Sequence, residues 1–248
     1  HFERGRLLVV EGDVSAPSLG LPTEIYTSLT MRVELIFHCA ALVNLKAPYH
    51  QTKPSIVDGT RNIISFAADQ KLKTLHHIST NSVIAKPQGE PCEEDLSLEG
   101  LDAHLTDGYS QAKWVAEVLV EEAIKLGLSA TIYRPGNIGP HRATHFANPR
   151  DLQQLIWSAC AETRVVPLNT GWRFELIPVD MMAALILELA DLDAPRSRYH
   201  LVHPRPLEAD ELFSEWLDHG QAARGVDGWR EWREALAEAS VGAEERSR

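Results

Sequence analysis

The apolar positions of this chain fall into short runs separated by longer stripes at helical spacing. Leu7-Leu-Val-Val-Glu-Gly-Asp13 reads as a strand followed by a turn, and Val33-Glu-Leu-Ile-Phe-His-Cys-Ala-Ala41 as a strand running into small residues. Residues 55–70 carry helical apolar spacing, and residues 75–79 form a third strand. Residues 109–126 predict a strong helix, with Trp114, Val115, Val118, Leu119 and Ile124 on or near one stripe and Gly127 as its stop. Ser129-Ala-Thr-Ile-Tyr-Arg134 is a fourth strand, cut by Pro135-Gly136. Short apolar strands alternating with helices predict an α/β protein with a parallel sheet.

After Pro140 the pattern changes. Residues 141–149 are polar and loop-like, and residues 151–163 predict a helix. Glu175-Leu-Ile-Pro-Val-Asp180 predicts a short strand leading into a helix over 181–192, and Tyr199-His-Leu-Val-His203 another strand. From Glu208 the tail reads as helical, and residues 241–248 as a polar, frayed end. Its Trp229 and Trp232 suit a core or a docking surface for a neighbouring domain.

A chain of 248 residues can bury a sizeable core as one large or two small domains. Its 24 Lys and Arg against 35 Asp and Glu leave a net charge of −11, which argues against binding nucleic acid or an anionic membrane. No apolar run approaches a membrane span; the longest, near residues 181–187, suits a core helix. Cys39, Cys92 and Cys160 are odd in number, far apart and without CxxC spacing, so neither a disulfide framework nor a zinc site is expected, and the expected compartment is the reducing cytoplasm. His38, His76 and His77 fall on or beside predicted strands, where structural histidines are the simpler reading than metal ligands. The run Glu93-Glu94-Asp95 reads as a solvated loop.

The candidate chemistry lies in two segments. Thr74-Leu-His-His-Ile-Ser-Thr80 is a strand ending in hydroxyl residues, and Tyr109-Ser-Gln-Ala-Lys113 puts a tyrosine and a lysine on one face at the start of a helix. An ammonium beside a phenol lowers the phenol pKa, and such a tyrosine can exchange a proton with a carbonyl or alkoxide. Thr80 could hold the same oxygen. In open α/β sheets the ligand crevice lies outside the strands' carboxyl ends, where these residues would meet. The set suits nicotinamide-dependent carbonyl reduction.

With these segments stand Gly12-Asp13-Val14-Ser15, Phe37-His-Cys-Ala-Ala-Leu-Val-Asn44, Val57-Asp-Gly-Thr60, His77-Ile-Ser-Thr80, Gly108-Tyr-Ser-Gln-Ala-Lys-Trp-Val-Ala-Glu117, Ile132-Tyr-Arg-Pro-Gly136, Pro178-Val-Asp180 and Tyr199-His-Leu-Val-His203, in order over residues 7–217. On these the chain resembles the extended short-chain dehydrogenase/reductase superfamily. Within it, the chain resembles the thioester reductase domain that ends some nonribosomal peptide and polyketide synthases, carboxylic acid reductases and aminoadipate reductases.

The resemblance implies a Rossmann-like doubly wound parallel sheet over residues 1–140 and a smaller, mainly helical substrate region over 141–248. Residues 172–182 and 199–203 would return to the sheet. It implies Tyr109 as proton donor, Lys113 as its tuner and a partner of the nicotinamide ribose, and Thr80 as the group that polarises the carbonyl. Asp13 and Val14 would border the adenine, Cys39, Ala40 and Ala41 would run along the cofactor, and Pro135 and Gly136 would lie near the nicotinamide. Asn44, His141, Arg142, Asn148 and Asp151 are candidate substrate residues; the last four could line the acyl or pantetheine channel or belong to a plain surface loop. The implied cofactor is NADPH, and the implied partner is an acyl or peptidyl carrier protein with its phosphopantetheine arm.

Two departures bear on this. The family opens with a strand and a Gly-rich turn that holds the pyrophosphate on a helix N-terminus, and no such turn is found here. The chain begins at His1, so the expectation is a fragment lacking its first βαβ unit and the residues that choose NADP over NAD. Ile56 stands where many relatives carry an asparagine that helps organise a helix and a water near the site. The alternatives are an NAD-dependent sugar-nucleotide epimerase or dehydratase, and a non-catalytic module on the same fold.

Overall fold

The computed structural model describes residues 7–84, 92–192 and 197–246. The chain forms two compact units. One runs up to Gly136 and adds Leu185–Leu201; the other holds Asn137–Ala184 and the chain from Val202 on.

Residues 7–13, expected as a strand and turn, carry no regular structure, and Leu7, Leu8 and Val9 are exposed. No described strand pairs with them, and an apolar run becomes a strand only where a neighbour completes its ladder. Helix α1 (Thr23–Arg32) leads into strand β1 (Leu35–His38). Helix α2 (Tyr49–Lys53) passes through a π turn at Pro54–Asp58 into α3 (Gly59–Ala68). Pro54 brings no N–H to the helical ladder, which accounts for the wide turn there. Strand β2 (Thr74–Ile78) follows, then α4 (Gly108–Lys125). The Asp107 carboxylate caps α4 by accepting from the Ser110 N–H at 2.8 Å. The helix ends where Gly127 takes a φ of +99°, a left-handed turn that glycine makes without strain. Strand β3 (Ala130–Pro135) closes this stretch.

Beyond it come β4 (Ile138–Gly139), α5 (Leu152–Thr163), β5 (Val165–Leu168), β6 (Arg173–Phe174), β7 (Ile177–Pro178) and α6 (Val179–Ala190), whose residues are divided between the units. Strand β8 (Arg198–Leu201) is followed by β9 (Leu207–Glu208), α7 (Ala209–Asp218), β10 (Arg224–Asp227) and α8 (Gly228–Arg246).

In the first unit the sheet order is β1-β2-β3-β8 and every pair is parallel, with Phe37 opposite His76, Ile78 opposite Tyr133 and Tyr133 opposite Tyr199. A parallel sheet crossed by helices is the Rossmann-like arrangement expected. Leu75 and Ile132 are fully buried against Ile63 and Ala67 of α3 and Val120 and Ala123 of α4. Burying each large aliphatic side chain stabilises the fold by about 1.5–3 kcal/mol. Phe37, His76, Tyr133 and Tyr199 stack in a row across all four strands, with ring centroids 4.8, 5.8 and 5.9 Å apart.

The second unit has a different core. Strands β5 and β10 pair in parallel, and Val165, Val166, Phe213, Trp232, Ala209 and Cys160 bury together. The Trp232 indole N–H donates to the Val165 carbonyl at 3.0 Å, and Trp229 packs against the same cluster, so both rings serve a core.

Three expectations are corrected here. The tail is not helical throughout: Arg224–Asp227 is a strand, and a Cβ on Gly225 would come within 2.6 Å of Leu168. Tertiary pairing, rather than the local pattern, makes it one. Helix α8 continues to Arg246, through most of the segment read as frayed. Residues 172–182 do not return to the main sheet: β6 pairs antiparallel with β9, and β7 pairs with β4. Two-residue strands, one ending at a proline without an N–H, form local bridges only. No helix among the described residues is long and apolar enough to cross a membrane.

Candidate active site

The carboxyl ends of β1, β2 and β3 lie side by side, because the strands are parallel and adjacent. This edge carries Cys39-Ala40-Ala41 after β1, Ser79-Thr80 after β2 and Pro135-Gly136 at the end of β3. Thr80 is extended and caps a short turn, its hydroxyl oxygen accepting from the Ser82 N–H at 3.2 Å. The start of α4 is brought against this edge by Gly108. A Cβ there would collide with the Tyr49 nitrogen and lie 2.5 Å from the Ala47 carbonyl, so only glycine permits the approach. The Thr52 hydroxyl donates to the Gly108 carbonyl at 2.9 Å and pins the same point.

From that start, Tyr109 and Lys113 point one turn apart into the edge. The Thr80 hydroxyl lies close enough to the Tyr109 phenol to pull its pKa down, and the buried Lys113 ammonium donates to the Ile78 carbonyl at 2.8 Å. Thr80, Tyr109 and Lys113 are thus brought together. Their electrostatics differ from expectation. Burial pushes the Tyr109 phenol up, the Thr80 bond pulls it back and Asp107 adds to the rise; the ammonium, held on Ile78, is not among the groups that lower it. Lys113 itself is pushed down to about 8, chiefly by burial, against the opposing pull of Cys39 and Glu117.

Of the residues expected along a cofactor, Cys39 and Ala40 are exposed and small, and Gly136 is tied by its N–H to the Leu201 carbonyl at 3.0 Å. Asp13 accepts from the Ser15 N–H and hydroxyl at 2.8 and 2.7 Å, which holds its carboxyl below the usual range. The Asn62 amide fixes the following turn by donating to the Val14 and Ala16 carbonyls at 2.8 and 3.0 Å. Small side chains over an open strand end, beside a buried lysine whose ammonium has donors beyond the one on Ile78, fit the nicotinamide end of a dinucleotide.

The candidate substrate residues are occupied locally. Asn44 accepts from the Lys46 N–H at 3.0 Å within its turn. In the second unit, the His141 ring accepts from the Ala143 and Thr144 N–H groups at 3.1 and 3.3 Å, and Asp180 accepts from the Arg142 N–H at 3.1 Å and its guanidinium at 2.8 Å, which hold the Asp180 carboxyl down at about 2. Asn148 accepts from the Arg150 N–H at 3.0 Å, and Asp151 caps α5.

His38, His76 and His77 are buried, and burial pushes each below its ordinary pKa, His38 to about 4. Among the described residues no group of His, Cys, Asp and Glu could hold a metal ion. Ile56 is buried against Val57, Ala112 and Ala116, so that position packs α4 and its own carbonyl takes the Thr60 hydroxyl at 2.6 Å.

One reading needs revision. Glu94, placed in a solvated loop, accepts from the His200 N–H at 2.9 Å. A buried pair, Glu117 with Arg134 at 2.6 Å, lies behind the site and escaped sequence reasoning. Helical spacing puts Glu117 on the face of Lys113, four residues on, but carries no sign of its partner Arg134.

Comparison with known proteins gives a consistent picture. The family model described as Male sterility protein, an NAD-binding family, matches residues 1–186. A glycine betaine reductase of Emericella nidulans is 33% identical over 231 residues, covering 92% of this chain and 18% of that protein. A linear gramicidin synthase polypeptide of Brevibacillus parabrevis is 33% identical over 238 residues, covering 94% of this chain and 5% of that protein. Among solved structures, the terminal R domain from the myxalamid PKS-NRPS pathway superposes with a TM-score of 0.86 at 35% identity, covering 94% of this chain and 59% of that one. The chain therefore spans a minor part of these full-length relatives and less than two thirds of the solved domain. The resemblance to terminal reductase domains read from the eight segments is borne out.

Proposed function

The chain belongs to the NAD-binding family described as Male sterility protein, and from that premise we propose that it is the reductase part of a larger cytoplasmic enzyme, releasing an acyl chain from a carrier-protein phosphopantetheine thioester. The observation that carries the reading is the meeting of Thr80, Tyr109 and Lys113 at the carboxyl edge of a parallel sheet.

The nicotinamide cofactor, when bound, would supply the hydride for the acyl carbonyl carbon. Thr80 and Tyr109 hydrogen-bond the carbonyl oxygen, and Tyr109 gives it a proton as negative charge develops there. Lys113, charged below about pH 8, has donors beyond the one on the Ile78 carbonyl that would hold the nicotinamide ribose. The product of this step is a hemithioacetal. Its collapse breaks the C–S bond, freeing the pantetheine thiol and leaving an aldehyde; a second reduction gives alcohol. Cys39, Ala40 and Ala41 would lie along the cofactor, and Asp13 and Val14 at its adenine end.

Steady-state oxidation of NADPH and NADH by the full-length protein tests this, with an acyl pantetheine thioester in one arm and a sugar nucleotide in the other. Thioester-dependent oxidation that prefers NADPH supports the reading. Turnover of the sugar nucleotide alone moves the protein to the epimerase and dehydratase branch. A folded protein that turns over neither, with Tyr109→Phe changing no measurable property, points to the non-catalytic module.

A further inference from the structure

Glu117 and Arg134 are both fully buried. Arg134 donates from Nε and a terminal nitrogen to Glu117 Oε1 at 2.8 and 2.6 Å. The other carboxylate oxygen, Oε2, accepts the Ser79 hydroxyl at 2.5 Å. The remaining guanidinium nitrogen donates to the Glu94 carbonyl at 3.4 Å and to His200 Nε2 at 2.9 Å, which places the His200 proton on Nδ1.

Stability alone does not account for such a pair. Desolvating two charges offsets most of their attraction, and apolar replacements of similar volume are often as stable. What the pair has is direction, since each bond fixes an angle as well as a distance. Each end meets a residue beside the reacting set. Ser79 precedes Thr80 at the end of β2. Glu117 lies one turn beyond Lys113, on the face shared by Tyr109, Lys113 and Glu117. Arg134 precedes Pro135-Gly136 at the end of β3.

We propose that Glu117 and Arg134, linked through Ser79, are positioning residues that hold Thr80, Lys113 and the Pro135-Gly136 edge in one geometry for the reduction, an inference that rests on the reductase reading above. The groups facing Lys113 are Cys39 and His38 from β1 and its end, His77 from β2, and Glu117 from its own helix. Glu117 is the fixed anion among them. Taking away its charge leaves the Arg134 guanidinium without a counter-ion in the same buried region.

The test is Glu117→Gln in the full-length protein, which keeps the shape and an acceptor for Ser79 but removes the charge. Two quantities are read: the titration midpoint of Lys113, by NMR of isotope-labelled lysine assigned with Lys113→Arg, and the split of kcat against KM. The midpoint is expected to fall below that of the wild type titrated alongside, because the anion that raises it is gone. kcat is expected to drop about tenfold or more, the scale of one charged hydrogen bond, with KM for the thioester little changed. An unmoved midpoint with unchanged kcat in folded protein overturns the proposal. If the wild type reduces no thioester, the Lys113 midpoint still decides: a shift supports the pair while the reductase reading fails, and no shift overturns the pair. Should Glu117→Gln not fold, Ser79→Ala cuts the link without changing a charge; a fall in kcat of similar size supports the proposal, and unchanged kcat overturns it.

Discussion

The two units bury different things. Among the described residues, the parallel-sheet unit buries His38, His76, His77, Ser79, Lys113, Glu117 and Arg134, whereas Gln153 is the one buried polar side chain of the second unit. The second unit packs half-buried rings around the buried Phe213 instead: Trp157, Phe213 and Trp216 meet at 5.3–6.2 Å, and Trp172 meets Phe174 and Trp229 at 5.6 and 5.5 Å. Aromatic burial needs few polar partners and stabilises through area and packing. Buried charge is costly unless every donor is satisfied, so its concentration behind one sheet edge marks where geometry is under the tightest demand. Substitutions in the first unit should therefore cost activity, and those in the second should cost stability.

The largest expected effect breaks chemistry without fold. Tyr109→Phe removes the proposed proton donor and keeps the ring, so kcat/KM should fall about 10²- to 10⁴-fold, measured by thioester-dependent NADPH oxidation, with Tm unchanged. Its counterpart in the other unit is Phe213→Ala, which empties the centre of the aromatic core. It should cost about 3–5 kcal/mol in denaturant unfolding. If it instead removed activity and left stability intact, the contrast between the units would be wrong.

The pH dependence sharpens the comparison. Lys113 sits near 8 in the fold against an ordinary 10.5, so between those values the unfolded chain binds more protons than the folded one. Its contribution to stability therefore rises as pH rises through that window, while kcat/KM falls above about 8 as the ammonium is lost. Opposite slopes in unfolding and kinetic titrations check this. The smallest effect is expected at Arg142→Ala, because the arginine of the Arg142–Asp180 pair is largely exposed. Calorimetry should find Tm essentially unchanged, and a KM that rose sharply would show Arg142 reaching substrate.

The sheet was legible because β1, β2 and β3 are short apolar runs broken by turn residues, and Tyr109 and Lys113 because helical spacing alone puts them on one face. Arg224–Asp227 was not: its Arg-Gly-Val-Asp sequence has little strand character, and only pairing with Val165–Leu168 makes it a strand. The upward push on Tyr109 was also illegible, because spacing says that a lysine is near and cannot say that the Ile78 carbonyl has claimed its ammonium. Glu117 meets Arg134 directly and Ser79 through its other carboxylate oxygen, contacts between segments far apart in the chain that no local pattern carries.

The central claim is that this edge releases a thioester by reduction. The most direct measurement uses NADPH deuterated at the transferable C4 position with an acyl pantetheine thioester and the full-length protein, following free thiol and the label in the product. The account predicts one thiol released per hydride transferred where the product is aldehyde and one per two hydrides where it is alcohol, with deuterium on the former acyl carbon. Thiol released alongside an unlabelled carboxylic acid would contradict it, because the chain would then be freed by hydrolysis.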